Sequence, residues 1–219
     1  MDDASKSTRS DQLAGLGTAL VCDVLDVLGH RQSFLGPEVG AAWPCGPIAG
    51  EAVTLACEPI DGPAAEPYGA LFDALHEHRH GAVLVIAAAE RWSGVWGELL
   101  STAALARGVA GVVTNGLTRD LAAIEALGFP LYASGVSPLD SAGRQVFASV
   151  DVPVTIGEAK VNPGDWVVAD ELGAAVVPAA LVDAVIERGL EKMRAESTVR
   201  AELAAGDDLG EVFRRHGVL

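Results

Sequence analysis

AVLVIAAAERWSGVWGELLSTAALARGVAGVVTNGLTRDLAAIEALGFPLYASG, residues 82–135, alternates apolar runs with helical segments. The unbroken run AVLVIAAA has the composition of a strand covered on both faces, since a strand with one wet face would alternate polar and apolar residues. Within GELLSTAALARG, residues 97–108, Leu99, Leu100, Ala103 and Ala104 form an apolar helical face, and Gly97 allows a tight entry. GVAGVVTNG then supplies a second short core strand. Thr118 stands where an N-cap belongs before RDLAAIEALG, Gly128 is the expected stop, and FPLYASG makes a third strand. This rhythm is that of an α/β domain.

Upstream, TALVCDVLDVLG places Leu20, Val24, Val27 and Leu28 at helical spacing, with Thr18 positioned to cap the entry and Gly29 the exit. EAVTLACEP alternates as a half-buried strand closed by Pro59, and YGALFDALHEHRH predicts a helix ending at Gly81. Downstream, beyond a flexible turn region, DVPVTIGE, DWVVADE and AAVVP predict short strands joined by NPGD and ELG turns, an antiparallel or mixed section. From Ala179 to about Arg215 the chain is mostly helical, with a break at the acidic GDD. The economical division is an α/β unit over 1–178 with a C-terminal helical arm over 179–219.

The chain has 219 residues, 50% of them hydrophobic, enough to bury a substantial core. Thirty acidic residues against 15 basic ones give a net charge of -15, which disfavours nucleic acid and anionic membranes as partners. No apolar stretch approaches the roughly 20 residues needed to cross a bilayer, and the polar start MDDASKSTRSD lacks the apolar centre of a signal peptide. A soluble cytoplasmic protein is expected. Cys22, Cys45 and Cys57 are odd in number and in no CxxC pair, which suggests neither a disulfide framework nor a thiolate metal site.

His76-Glu77-His78-Arg79-His80 formally contains H-E-x-x-H, the zinc signature of metalloproteases. No third ligand follows it, and imidazoles and Arg79 in a last helical turn are explained by the exposed carbonyls and the negative end of the helix dipole. The G-x-S-x-G elbow, the P-loop and a strand-linked G-x-G-x-x-G are missing, so serine hydrolase, nucleotide hydrolase and Rossmann dehydrogenase chemistry lose their usual local apparatus.

Two loop-to-helix junctions remain, Gly97-Glu98-Leu99-Leu100 and Thr118-Arg119-Asp120, each following a core strand. The first offers backbone amides at a helix start, a cradle for a carboxylate, and Arg119 adds a guanidinium able to grip the same anion bidentately. Asp120 is a hard oxygen ligand suited to Mg²⁺ or Mn²⁺, and Glu98 is a second carboxylate able to move protons. An ordinary surface pair at one helix start and a first-turn acid at the other would satisfy the same spacing.

The stretch from Trp96 to Pro138, with weaker echoes in VCDVLDVLG, PIAGEAVTL and NPGDWVVADELGAAVVP, resembles the RraA-like family, which includes the class II 4-hydroxy-4-methyl-2-oxoglutarate/4-carboxy-4-hydroxy-2-oxoadipate aldolases. In those aldolases an acid is followed after twenty residues by Arg-Asp and then, after two intervening residues, by another acid. Glu98, Arg119 and Asp120 match this pattern; the last acid is replaced by Ala123, and Glu125 is rotated by about 200° from it along a helix. The resemblance implies an α-β-β-α sandwich similar to the phosphohistidine swivelling domain, assembled as trimers or hexamers. It further implies that Asp120 binds the divalent ion, that Arg119 binds the pyruvyl group and that the Leu99 and Leu100 amides hold its carboxylate. Glu98, or a water it orients, would take the C4 hydroxyl proton as pyruvate is released, and oxaloacetate decarboxylation would share the same electron sink. A regulatory protein of the ribonuclease E inhibitor type, or a diverged lyase of specialised metabolism, is the alternative. A methyltransferase is not indicated, because no glycine-rich methyl-donor loop follows the first strand.

Overall fold

The computed structural model describes residues 3–77 and 79–217. Its first helix, α1 (Asp3–Val27), begins well before the apolar segment noted above and is kinked at Gly17, where φ is 76°. Thr18 starts the second half, but it does not cap it. Instead the Thr18 amide and hydroxyl both donate to Asp170, at 2.7 and 2.6 Å. Leu13, Leu16, Leu20, Val21, Val24 and Leu25 are buried, whereas Val27, expected on the same face, is 77% exposed.

Strands β1 (Gly40–Ala41) and β2 (Ile48–Pro59) follow, then α2 (Gly69–His76), β3 (Val83–Ala87), β4 (Gly94–Trp96) and α3 (Glu98–Ala106). Next come β5 (Gly111–Thr114), β6 (Leu117–Thr118), α4 (Leu121–Leu127) and β7 (Leu131–Ala133). The remainder is β8 (Gln145–Val150), β9 (Val154–Ile156), β10 (Ala159–Val161), β11 (Trp166–Asp170), β12 (Gly173–Val177), α5 (Val182–Ala204) and α6 (Leu209–His216). Helix α2 stops at His76, short of Gly81, so His76 and His80 do not share a helical face; His78 lies outside the described residues. Arg79 pairs with Glu77 and Asp151. Among the described residues no cluster of three His, Cys, Asp or Glu could hold a metal ion, and no helix is long and apolar enough to cross a membrane.

The main sheet runs β1-β7-β5-β3-β2-β11-β12, with β8 paired antiparallel to β2. Strands β2, β3, β5 and β7 are mutually parallel, because helices α3 and α4 carry the chain back between β3, β5 and β7. At the other end β11 and β12 form the antiparallel hairpin expected from the ELG turn. The two ends approach each other: residues 33–35 bond along β12, and the chain then enters β1. The result is a mixed α/β fold around a nearly closed, barrel-like sheet.

Alternation within β3 shows why its sequence is apolar throughout. Leu84 and Ile86 join Leu71, Ala104, Ile124 and Phe129 in a core beneath the helices, while Val83 and Val85 face Leu35, Val113, Ile156 and Val161 in a second core. A third core lies between α1, α5 and the β11–β12 hairpin. Cys57, at a bulge in β2, is pushed up to about 12 by burial. Its thiolate is therefore scarce at neutral pH, and iodoacetamide labelling of the folded chain at pH 8 should leave Cys57 unmodified until denaturant is added, as peptide mass spectrometry would show.

Candidate active site

In sheets of this type the loops leaving the carboxyl ends of parallel strands collect functional groups. Here the loops after β3, β5 and β7 are sewn together by main-chain bonds. Strand β4, in the first loop, pairs parallel with β6 in the second, and the Arg119 amide donates to the Trp96 carbonyl at 2.8 Å. The third loop joins through the Gly94 amide, which donates to Leu139 O, and the Ser137 amide, which donates to Thr118 O, both at 2.9 Å. Thr118 is thus a β6 residue, and the N-cap position of α4 belongs to Asp120. Gly128 ends that helix in the left-handed conformation, as expected.

Around the seam lies an open cleft of about 130 Å³, lined by Gly97, Glu98, Leu99, Leu100, Arg119 and Asp120, together with Tyr68, Asp140 and Ser141. All six residues singled out in the sequence therefore meet in one place. Gly97 is the N-cap of α3 in extended backbone, with φ -160°. A Cβ there would lie 2.9 Å from Asp120 Oδ2, so the absence of a side chain is what lets the carboxylate turn in over the helix start. Gly97→Ala should displace the Asp120 carboxylate from the start of α3 with little change in Tm, because the atom in the way is the far end of a movable side chain. A crystal structure of the variant, alongside thermal unfolding, checks both halves of that expectation.

Asp120 itself sits at φ 56°, ψ 32°, left-handed backbone that Asp and Asn tolerate better than other side chains. The Glu98 amide donates to its Oδ2 at 3.4 Å, a long contact that leaves most of the carboxylate's capacity for another partner. Glu98 accepts from the Thr102 hydroxyl at 3.0 Å, one helical turn on, which fixes its rotamer. Helix geometry gives the Leu99 and Leu100 amides no intrahelical acceptor. Arg119 is partly exposed, and its Nη1 bonds to Asp140.

Asp140 has no periodic signal in the sequence because it lies in the turn region between β7 and β8. Its other oxygen accepts from the Ala142 amide at 2.7 Å, the local bond that makes Asp a turn former, and turn chemistry was the one signal available. Glu90 and Gln145 were also missed. Glu90 accepts from the Trp92 and Ser93 amides, the Ser93 hydroxyl and the Gln145 amide, and so fixes the loop that presents β4. Burial pushes its carboxyl up, but those bonds and the charge of Arg144 outweigh it and hold the group below the usual range. Of the two tryptophans near Gly97, Trp96 is a core anchor, stacked on Phe129 and donating to Ser101 Oγ at 2.8 Å, whereas Trp92 is 77% exposed. Ala123, on the first turn of α4, is exposed and offers no oxygen beside Asp120.

Fold and cleft together define an α/β protein with an acidic, single-arginine pocket at the carboxyl ends of its parallel strands. The chain belongs to the RraA-like family: the family model described as RraA-like, Aldolase/RraA, matches residues 18–176. A protein of Halalkalibacterium halodurans that bears the provisional name 4-hydroxy-4-methyl-2-oxoglutarate aldolase is 29% identical over 141 residues, 64% of this chain and 66% of that one. Other curated relatives are spanned over only 58% and 19% of their length. Among solved structures, RraAS2 of Streptomyces coelicolor, described as an unusual member of the RNase ES inhibitor RraA family, is 31% identical with a TM-score of 0.80, covering 88% of this chain and 96% of that one. An uncharacterised protein of Pseudomonas syringae is 26% identical with a TM-score of 0.83, covering 94% and 96%.

Proposed function

We propose that the chain is a divalent-metal-dependent lyase that cleaves a carbon–carbon bond of a 2-oxo acid and releases pyruvate. The observation that carries this reading is the convergence of Glu98, Arg119 and Asp120 on one cleft, with Asp120 turned in over Gly97. The donor set fits Mg²⁺ or Mn²⁺, hard ions that accept one carboxylate and fill their remaining positions with water and substrate oxygens. Asp120 would hold the ion, and Glu98, a second carboxylate of the same lining, would accept from its water. When bound, the ion supplies Lewis-acid polarisation of the 2-keto group.

The chain's own groups do the rest. Arg119, steadied by Asp140, binds the pyruvyl end and offsets the negative charge that develops on the keto oxygen as the bond breaks. The Leu99 and Leu100 amides hold the carboxylate at the start of α3. Glu98, oriented by Thr102, takes the proton of the C4 hydroxyl, directly or through a water, as the C3–C4 bond breaks and the second carbonyl product forms; that proton, or one from solvent, then goes to C3 of the three-carbon fragment, which leaves as pyruvate. With oxaloacetate the departing product is CO₂, and no proton need be removed from a hydroxyl.

The proposal carries with it a trimeric or hexameric assembly, a cytoplasmic setting, the swivelling-domain sandwich, and the division into a 1–178 unit and a 179–219 arm. A regulatory protein of the kind named in the Streptomyces structure is the second reading, favoured by the missing acid at Ala123. The deciding experiment is a pyruvate-release assay with 4-hydroxy-2-oxo acids and oxaloacetate. Turnover should fall to background on exhaustive chelation and return with Mg²⁺ or Mn²⁺; turnover indifferent to chelation would overturn metal dependence, and no turnover at all would favour the regulator.

A further inference from the structure

We propose that the substrate is a 2-oxo acid with a single carboxylate and an uncharged, apolar far end, an inference that rests on the lyase reading above. Among the described residues lining the cleft, Glu98, Asp120 and Asp140 stand against one cation, Arg119. Three carboxylates against one guanidinium leave two negative charges, which a divalent ion on Asp120 would neutralise. The carboxylate of the pyruvyl group then uses Arg119, already shared with Asp140, and the α3 amides. A second carboxylate would find no unshared cation among the described residues this chain contributes to the lining, and would face Glu98 and Asp140 in a chain of net charge -15. Arg144, from the same turn as Asp140, directs its Nη1 to the Asp140 carbonyl at 2.7 Å and is not a lining residue. Like charges brought together without a counter-ion are strongly selected against in recognition.

The shape agrees with the charge. The cleft, about 130 Å³ and open to solvent, seats the pyruvyl group beside Arg119 and leaves the far end of the substrate toward its open side. Apolar groups stand beside the charged ones in the lining: Leu99, 78% exposed, Leu100 and the ring of Tyr68, with Ser141 the one uncharged hydroxyl besides. Single exposed leucines are ordinary on protein surfaces, but apolar groups gathered in one charged cleft make a seat for an alkyl or aryl group. The far end is thus distinguished from that of 4-hydroxy-4-methyl-2-oxoglutarate, the diacid for which relatives are named.

Two non-cleavable probes test this by calorimetry on the purified chain with Mg²⁺: 2-oxo-4-phenylbutanoate, with one carboxylate, and 2-oxoglutarate, with two. The phenyl acid should bind about tenfold tighter or more. Leu99→Lys, at a position exposed enough to leave folding unaffected, should move the ratio about tenfold toward 2-oxoglutarate. Tighter binding of 2-oxoglutarate by the unaltered chain, or binding of neither acid, overturns the inference. Pyruvate release from the matching 4-hydroxy acids separates it from the reading beneath: release with a diacid preference defeats this inference alone, while a phenyl-acid preference without release supports it and defeats the lyase alone.

Discussion

Arg119→Ala should, on the proposed lyase chemistry, lower kcat/KM for pyruvate release by about 10²–10³-fold, the usual cost of removing a charged group placed to act on a developing oxyanion. The loss should be chemical rather than structural. The Arg119 main-chain bond to Trp96 survives in alanine, and the Asp140 left behind is half exposed, so its carboxylate can be solvated. Asp120→Asn is the companion test, because asparagine keeps the left-handed backbone while removing the charge a divalent ion needs. Its rate should fall as far, and added Mg²⁺ should restore little of it. Asp140→Asn should cost less than either, since it loosens Arg119 without removing it. A lactate dehydrogenase-coupled assay on all three variants checks the order; an unimpaired Arg119→Ala enzyme would remove the site.

The largest effect on stability should come from Asp170→Ala. Asp170 is 7% exposed and accepts from the Thr18 amide, the Thr18 hydroxyl and the Leu172 amide, at 2.7, 2.6 and 3.0 Å. Alanine strands these donors at the joint between α1 and the β11–β12 hairpin, at a cost of about 2–4 kcal/mol. Asp170→Asn keeps an acceptor oxygen and should lose roughly half as much. Urea unfolding with an unchanged m-value would confirm that the native state, and not the compactness of the unfolded chain, has altered.

What was legible in the sequence follows from how local each signal is. Strands β3, β5 and β7 and helix α3 were readable because burial on both faces or one face writes itself into consecutive residues. The α5–α6 break was equally local, with Asp208 capping α6 by accepting from the Glu211 amide. Strand β8 was not readable: its partly exposed residues follow a run of Ser, Gly and Asp, and its pairing with β2 joins residues about 90 positions apart. The first half of α1 was hidden by its polar residues, since only Leu13 and Leu16 betray the buried side. In the site, Glu98, Arg119 and Asp120 stand at loop-to-helix junctions after core strands, and the family resemblance is what singles them out, whereas Asp140 reaches Arg119 across 21 positions that no helical or strand period connects.

The seam between β4 and β6 also says something about how such a site could change. Most of its stitches are peptide groups, indifferent to which side chain each residue bears, and the side-chain bonds that join them, from Thr118 to Trp96 O and around Glu90, come from residues other than those that give the cleft its charge. The acids, the leucines at the lip and the arginine can therefore be exchanged singly while the frame that aims them stays put. Innovation at this pocket needs no refolding, and a chain that has lost one acid is free to test a new reactant on the same loom.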